Sequence, residues 1–121
     1  MKIGIIGAEG FIGGRYCKVL ESHGYEIIAG DIRSWPDDNL DIRDKVQVLE
    51  WFENNNPEII ILTAAIIRQD DVYNNSADGM DTNVTGVINV LEACRDHGAL
   101  LMFSSTVHVY EGISGKVDEI T

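Results

Sequence analysis

Glycines at every third position directly behind an apolar run constrain this chain more than any other feature. The opening reads Met1-Lys-Ile-Gly-Ile-Ile-Gly7-Ala-Glu-Gly10-Phe-Ile-Gly13. Lys2–Ile6 has the composition of a buried strand and the residues after the glycines have helical spacing, so the glycines mark a strand-to-helix turn. A second apolar run, Tyr25–Gly30, ends in Asp31. Gly7 lets the strand turn sharply, Gly10 lets a phosphate approach the backbone with no side chain between, and Gly13 lets the helix lie close on the sheet. The first N–H groups of that helix lack intrahelical partners and carry the positive end of its dipole, which favours an anion. Asp31, about twenty residues beyond the glycines, stands where a carboxylate accepts hydrogen bonds from an adenosine ribose. Together these features predict a dinucleotide site. A carboxylate repels a 2′-phosphate, so the reading is NAD in preference to NADP, with Arg33 able to offset part of the repulsion.

The rest of the chain alternates strand with helix. The first helix is expected over Phe11–Ser22, with Ile12, Tyr16, Val19 and Leu20 on its apolar face and His23-Gly24 ending it. Ser34–Asn39 has the composition of a loop. A second helix runs from about Arg43 to Asn55, with Val46, Leu49 and Phe52 on one face, Asp41 or Asp44 capping its start, and Asn54-Asn-Asn-Pro57 stopping it. Glu58–Ala65 is unbroken and isoleucine-rich, as a strand covered on both faces requires. Residues 66–82 are polar and irregular. A third helix is clear from Asn83, with Val84, Val87, Ile88, Leu91 and Cys94 as its stripe and Gly98 closing it. Ala99–Phe103 is the fourth strand, with Ser104-Ser-Thr106 at its carboxyl end, and residues 107–121 resolve only as loop or short helix. Right-handed crossovers then predict an α/β, Rossmann-like parallel sheet of about four strands in the order 3-2-1-4, with helices on both faces. The ligand crevice is expected between strands one and four, where the glycine turn, Ala64-Ala65 and Ser104–Thr106 converge.

The 121 residues suit a single domain, 1–121. Nine basic against twenty acidic side chains give a net charge of −11, which argues against nucleic acid or an anionic membrane surface as partner. The acids are dispersed, as on a solvated surface. No apolar stretch approaches the length needed to span a bilayer, and the first strand begins at once, without a signal-peptide pattern. Cys17 and Cys94 are therefore expected to be free thiols in a reducing cytoplasm.

Five segments and one lone acid taken together resemble a known family: Gly7-x-x-Gly10-Phe-Ile-Gly13 with Asp31, Asp41-Ile-Arg-Asp44, Glu58–Ala65, Asn83–Ala93 and Phe103-Ser-Ser-Thr-Val-His-Val-Tyr110. In this order and spacing they are similar to the amino-terminal part of the extended short-chain dehydrogenase/reductases, the NAD-dependent epimerase/dehydratase family, which act mostly on nucleotide sugars. The resemblance covers nearly the whole chain. It implies that Phe11, Ile12 and Ile32 join Gly7, Gly10, Gly13 and Asp31 around the cofactor. It places Asp41 on the adenine amino group, with Ile42 packing or bonding at the same ring. Thr63, Ala64 and Ala65 line the pyrophosphate and nicotinamide ribose, Ser104 borders the same site, and Asn83 ties the third helix to strand three or four. Thr106 matches the hydroxyl that polarises the substrate oxygen. The family's catalytic Tyr-x-x-x-Lys pair is absent: Tyr110 matches a structural tyrosine, and none of the other tyrosines has a lysine at that offset.

Other chemistries find little support. His23, His97 and His108 are far apart and two of them close helices, so no metal site is expected. Cys17 has no placed base, no nucleophile elbow surrounds Ser104-Ser-Thr106, and Asp70-Asp71 reads as solvated loop. The expectation is an NAD-binding domain, truncated or naturally short and catalytically incomplete on its own, lacking the carboxyl-terminal substrate lobe. The alternative is a non-catalytic NAD-sensing or partner-binding module, and a third reading is a remnant that binds nothing. An apolar edge at Ala99–Phe103 implies a homodimer or a partner chain covering strand four.

Overall fold

The computed structural model describes residues 1–31, 39–63, 77 and 80–104. Parallel strands β1 (Lys2–Ile6), β2 (Glu26–Gly30), β3 (Ile59–Leu62) and β4 (Leu100–Phe103) form one sheet in the order β2-β1-β3-β4. Helix α1 (Phe11–Ser22) joins β1 to β2, and α2 (Lys45–Asn55) precedes β3. Helix α3 (Gly86–His97), entered through a π-helical turn at Asp81–Thr85, precedes β4. Alternate strand residues face opposite ways. Ile3, Ile5 and Ile61 pack with Cys17 and Leu20 of α1. On the other face Ile60 and Leu62 meet Val48, Trp51 and Phe52 of α2 and Val90, Ala93 and Cys94 of α3. A sheet covered from both sides is what the apolar runs demand.

The strand order corrects the expected 3-2-1-4. The run read as strand three lies beside β1, not beside β2, and β4 is outermost. The reason lies in the segment read as a plain loop. Asn39 makes an isolated parallel bridge to Asp31, and the Leu40 N–H donates to the Asp31 carbonyl at 3.0 Å. This single rung takes the free edge of β2, so the chain returns through α2 to the far side of β1. Counting the rung as a strand restores the Rossmann progression. The point where the strand order reverses, which is where such folds place a ligand, is therefore between the carboxyl ends of β1 and β3 and not between strands one and four.

The three helices are present, but each is rotated from its expected face. In α1 a Cβ at Gly13 would lie 2.0 Å from the Gly7 carbonyl oxygen, so that position must sit against the turn. Cys17 and Leu20 follow it inward, which turns Ile12, Tyr16 and Val19 to solvent. In α2 Val46 is exposed and the buried set is Val48, Trp51 and Phe52. The Trp51 indole occupies a slot made by two strand glycines: a Cβ on Gly4 would come within 2.7 Å of it, and one on Gly30 within 3.3 Å. Val84 in the π-helical turn and Ile88 and Leu91 in α3 are exposed, whereas Gly86, Asn89, Val90, Ala93 and Cys94 are buried. Asn89 finds a backbone partner beneath the helix.

Helix ends follow the expected chemistry. Asp44 caps α2, its carboxylate accepting from the N–H groups of Val46 and Gln47. Asn56 closes α2 in the left-handed region ahead of Pro57, and Gly98 closes α3 at φ 68°.

Candidate cofactor-binding site

The glycine turn is built from backbone. Gly7 takes φ 97°, open to glycine and strained for other residues. The N–H groups of Gly7 and Ala8 both donate to the Gly30 carbonyl, at 2.7 and 3.3 Å, and the Gly10 N–H returns to the Gly7 carbonyl at 3.0 Å. Gly10 then starts α1 in an extended conformation with no side-chain cap. Thr63 closes the floor, its hydroxyl donating to the Ile6 carbonyl at 3.1 Å and its N–H to the same oxygen at 2.9 Å. A Cβ at Gly13 would also come within 3.0 Å of that hydroxyl. Turn, helix start and β3 end therefore meet around one glycine. Phe11 and Ile12, in the first turn of α1, have exposed side chains.

Asp31 belongs to the same construction. It is 5% exposed, and its Oδ2 accepts from the Glu9 N–H at 3.0 Å, so the acid at the end of β2 is tied to the glycine turn itself. An anion-favouring turn and a hydrogen-bond acceptor thus stand one bond apart.

A second cluster forms where the chain enters α2. Arg43 folds back on Asp41, with Nη2 at 2.7 Å from Oδ2 and Nε at 3.0 Å from Oδ1, and its N–H also donates to Oδ1 at 3.0 Å. Hydrogen bonding from Arg43, the dominant influence, holds the Asp41 carboxyl below its ordinary value. Ile42 is buried in the core, so its side chain is not offered to a ligand and only its backbone remains available. A shallow surface hollow of about 590 Å³ is lined by Asp41, Arg43, Asp44, Lys45 and Val46, and by no glycine-turn residue. Lys45 and Glu92 pair across α2 and α3 at 3.3 Å.

The structure brings Gly7, Gly10, Gly13, Asp31 and Thr63 together. Asn83 lies half-buried in the π-helical turn. Ser104 is exposed beyond β4, where its N–H donates to the Leu62 carbonyl at 3.3 Å. Ile32, Arg33, Ala64, Ala65, Asp70, Asp71, Thr106, His108 and Tyr110 lie outside the described residues. Sequence reasoning missed Asn89, which donates to the Ile42 carbonyl at 2.8 Å. Its signal was an amide between Ile88 and Val90 on a helix that otherwise turns small and apolar residues inward.

The remaining candidates have ordinary roles. Both cysteines are free. Burial pushes the Cys94 thiol up to about 11, and burial, then Glu21 and Glu9, raise that of Cys17, so neither is an activated thiolate. His23 and His97 donate from Nδ1 to carbonyls of their own helices, Val19 and Ala93. Among the described residues no group of His, Cys, Asp or Glu is arranged to hold a metal, and no helix is long and apolar enough to cross a membrane.

A parallel sheet in this order, with a glycine turn after β1 and a buried acid after β2, defines the Rossmann class of dinucleotide folds. Residues 3–121 match the NAD dependent epimerase/dehydratase family, and the chain belongs to it. It is 32% identical over 117 residues to a dTDP-4-dehydrorhamnose reductase of Aggregatibacter actinomycetemcomitans, a match covering 95% of this chain and 38% of that protein. The solved UDP-glucose 4-epimerase of Thermus thermophilus, in complex with NAD, superimposes with a TM-score of 0.80 at 27% identity, over 88% of this chain and 38% of that one. A dTDP-4-dehydrorhamnose reductase of Bacillus anthracis in complex with NADP gives a TM-score of 0.74 at 29% identity, over 83% of this chain and 34% of that one. The chain thus spans little more than a third of the length of these relatives.

Proposed function

We propose that these residues are the cofactor-binding part of a nucleotide-sugar epimerase, dehydratase or reductase, and that the cofactor is NAD. The observation that carries this reading is the 3.0 Å bond from the Glu9 amide to Asp31. It couples an acceptor suited to the adenosine ribose with a turn suited to the pyrophosphate. The cradle at Gly13, which any Cβ would fill, fits a backbone brought close for a diphosphate. NADP would set a dianionic phosphate beside Asp31, hence the preference for NAD, with Arg33 as the offsetting residue. Asp41 and Ile42 take the adenine, Thr63, Ala64 and Ala65 line the path to the nicotinamide ribose, and Asn83 fixes the start of α3.

Bound NAD supplies a hydride acceptor. This chain's part is to orient it and, through Thr106, to polarise a substrate oxygen. A phenol titrating near 10 is a poor base at neutral pH unless a cation lowers it. At the lysine offset from Tyr16, Tyr25, Tyr73 and Tyr110 stand Leu20, Ala29, Ala77 and Ser114. These residues alone therefore bind the dinucleotide without turning a sugar over. Calorimetric titration with NAD and NADP, with Asp31→Ala as control, tests the reading. Binding of NAD, weaker binding of NADP, and at least about a tenfold loss of NAD affinity in the variant are expected, one such factor being about 1.4 kcal/mol. No heat from either dinucleotide overturns it.

A second reading is supported by β4, outermost among the described strands, with Leu100, Met102 and Phe103 at least half exposed. An uncovered apolar edge invites pairing. Here the chain is an NAD-sensing or partner-binding module, and a second copy or another chain covers β4. A monodisperse monomer in light scattering counts against pairing with a second copy.

A further inference from the structure

The turn at Asp41–Asp44 is pinned almost everywhere. The Asp41 N–H donates to Gln47 Oε1 at 3.1 Å, the Asp44 N–H to the Asp41 carbonyl at 3.0 Å, and the Arg43 N–H to the Asp41 carboxylate at 3.0 Å. The Ile42 carbonyl receives Asn89 Nδ2 at 2.8 Å, and the Arg43 carbonyl lies 3.4 Å from the same nitrogen. Two carbonyl oxygens fix which end of the Asn89 amide points there, because only the NH₂ donates. The Ile42 N–H takes no part in this set of bonds among the described residues. One turn thus presents a carboxylate acceptor and, beside it, a backbone donor, complementary to the amino donor and ring-nitrogen acceptor on the Watson–Crick edge of adenine.

We propose that Asn89 is a positioning residue for adenine: by holding the Ile42 carbonyl from α3, it fixes the Ile42–Arg43 peptide plane, whose N–H donates to the Asp41 carboxylate, and so keeps that carboxylate in register with the neighbouring Ile42 N–H. The inference rests on the cofactor reading above and names a residue that acts through Ile42 without touching the ligand. The placement argues for more than packing. Asn89 is 9% exposed on a helix whose other inward residues are small or apolar, and its bond spans 47 positions of sequence. A buried donor left unpaired is costly, so the amide is held in place only while the turn keeps its shape. Leu40 and Ile42 share one core cluster with Val90, Ala93 and Cys94 of α3, and Asn89 supplies the directional bond.

The test compares affinity for NAD with affinity for nicotinamide hypoxanthine dinucleotide, whose base reverses the donor and acceptor on that edge. It is made on the wild-type chain, Asn89→Leu and Asn89→Asp. A purely structural role leaves the ratio of the two affinities unchanged in a variant that still melts cooperatively. A positioning role lowers the preference for NAD about tenfold, the scale of one well-formed base contact. An unchanged ratio overturns the proposal. Should both variants fail to fold, the Asn89 side-chain amide resonance of the wild-type chain decides: it shifts with AMP and stays still with nicotinamide mononucleotide. No shift with AMP, or equal shifts with both, overturns the proposal. A wild-type chain that binds neither NAD nor AMP ends the cofactor reading and this inference together, whereas binding with an unchanged ratio ends this inference alone.

Discussion

The glycine turn and the Asp41–Asp44 turn lie at opposite ends of the same proposed site and are held by different means. The first is backbone folded on backbone, with Gly7, Ala8 and Gly10 exchanging bonds with Gly30 and with one another. The second is shaped by side chains: Arg43 on Asp41, Gln47 on the Asp41 amide, and Asn89 reaching in from α3. A turn made of backbone tolerates no added atom, whereas a turn made of side chains tolerates loss of one contact at a graded cost.

The sharpest way to break that comparison is Gly13→Ala. The new methyl meets the Gly7 carbonyl oxygen at 2.0 Å and its carbon at 2.7 Å, both backbone, so relief requires α1 to lift from the turn. The expected result is loss of dinucleotide binding and destabilisation at or above the upper end of the usual overpacking range, about 3 kcal/mol. Thermal melting and calorimetry measure the two effects. Gly14→Ala is the internal control: its methyl would sit 3.4 Å from the Ala8 carbonyl oxygen, an ordinary contact. Because alanine is the better helix former by up to about 1 kcal/mol, this neighbour should be neutral or stabilising. Equal damage from both substitutions would show that the close approach to the Gly7 carbonyl is not what requires glycine at position 13.

The contrast between the turns also explains what is legible in the sequence. Gly7, Gly10, Gly13 and Asp31 sit within one local unit whose requirements are written in residue type, and the structure assembles them with Thr63. The caps at Asp44 and Gly98 are local and equally readable. Strand order is not, because it depends on one rung between Asp31 and Asn39 inside a stretch with loop composition. Helix faces escape sequence reasoning for a related reason. Each helix carries more apolar residues than one face needs, so periodicity alone cannot choose among them. Long-range contacts decide the rotation: Gly13 against the Gly7 carbonyl, and Trp51 in the slot of Gly4 and Gly30. Asn89 lies beyond local reading altogether, since its partner is distant in sequence and is a backbone atom that any residue would carry.

A middle-sized effect is expected at the border of the second turn. Asp44 accepts from Val46 and Gln47 N–H groups at 3.0 and 3.3 Å, and Gln47 Nε2 returns to its other oxygen at 3.2 Å. Asp44→Ala removes the cap and should cost about 1 kcal/mol in chemical denaturation, the usual value for such a loss. It should leave binding at the glycine turn unchanged, since none of these bonds reaches it. A parallel loss of dinucleotide affinity would mean that the two turns act as one unit and would weaken the distinction drawn between them.

The smallest effect sharpens the comparison through pH. Hydrogen bonding from Arg43 lowers the Asp41 carboxyl in the folded chain relative to its ordinary value of 3.8. A carboxyl with a depressed folded-state pKa contributes stability that is present above the unfolded value and lost as pH falls through the folded one. The pair is partly open to solvent, with side-chain exposures of 34% and 22%, so screening keeps its contribution below about 1 kcal/mol. Arg43→Ala should therefore cost a few tenths of a kcal/mol near neutral pH. The difference between variant and parent should begin to shrink as pH drops below about 4, where Asp41 of the unfolded chain takes up its proton, and vanish as pH falls through the depressed value of the folded parent. A constant difference across that range would assign the role of Arg43 to packing of its stem, and Asp41 would then owe its placement to the backbone of the turn alone.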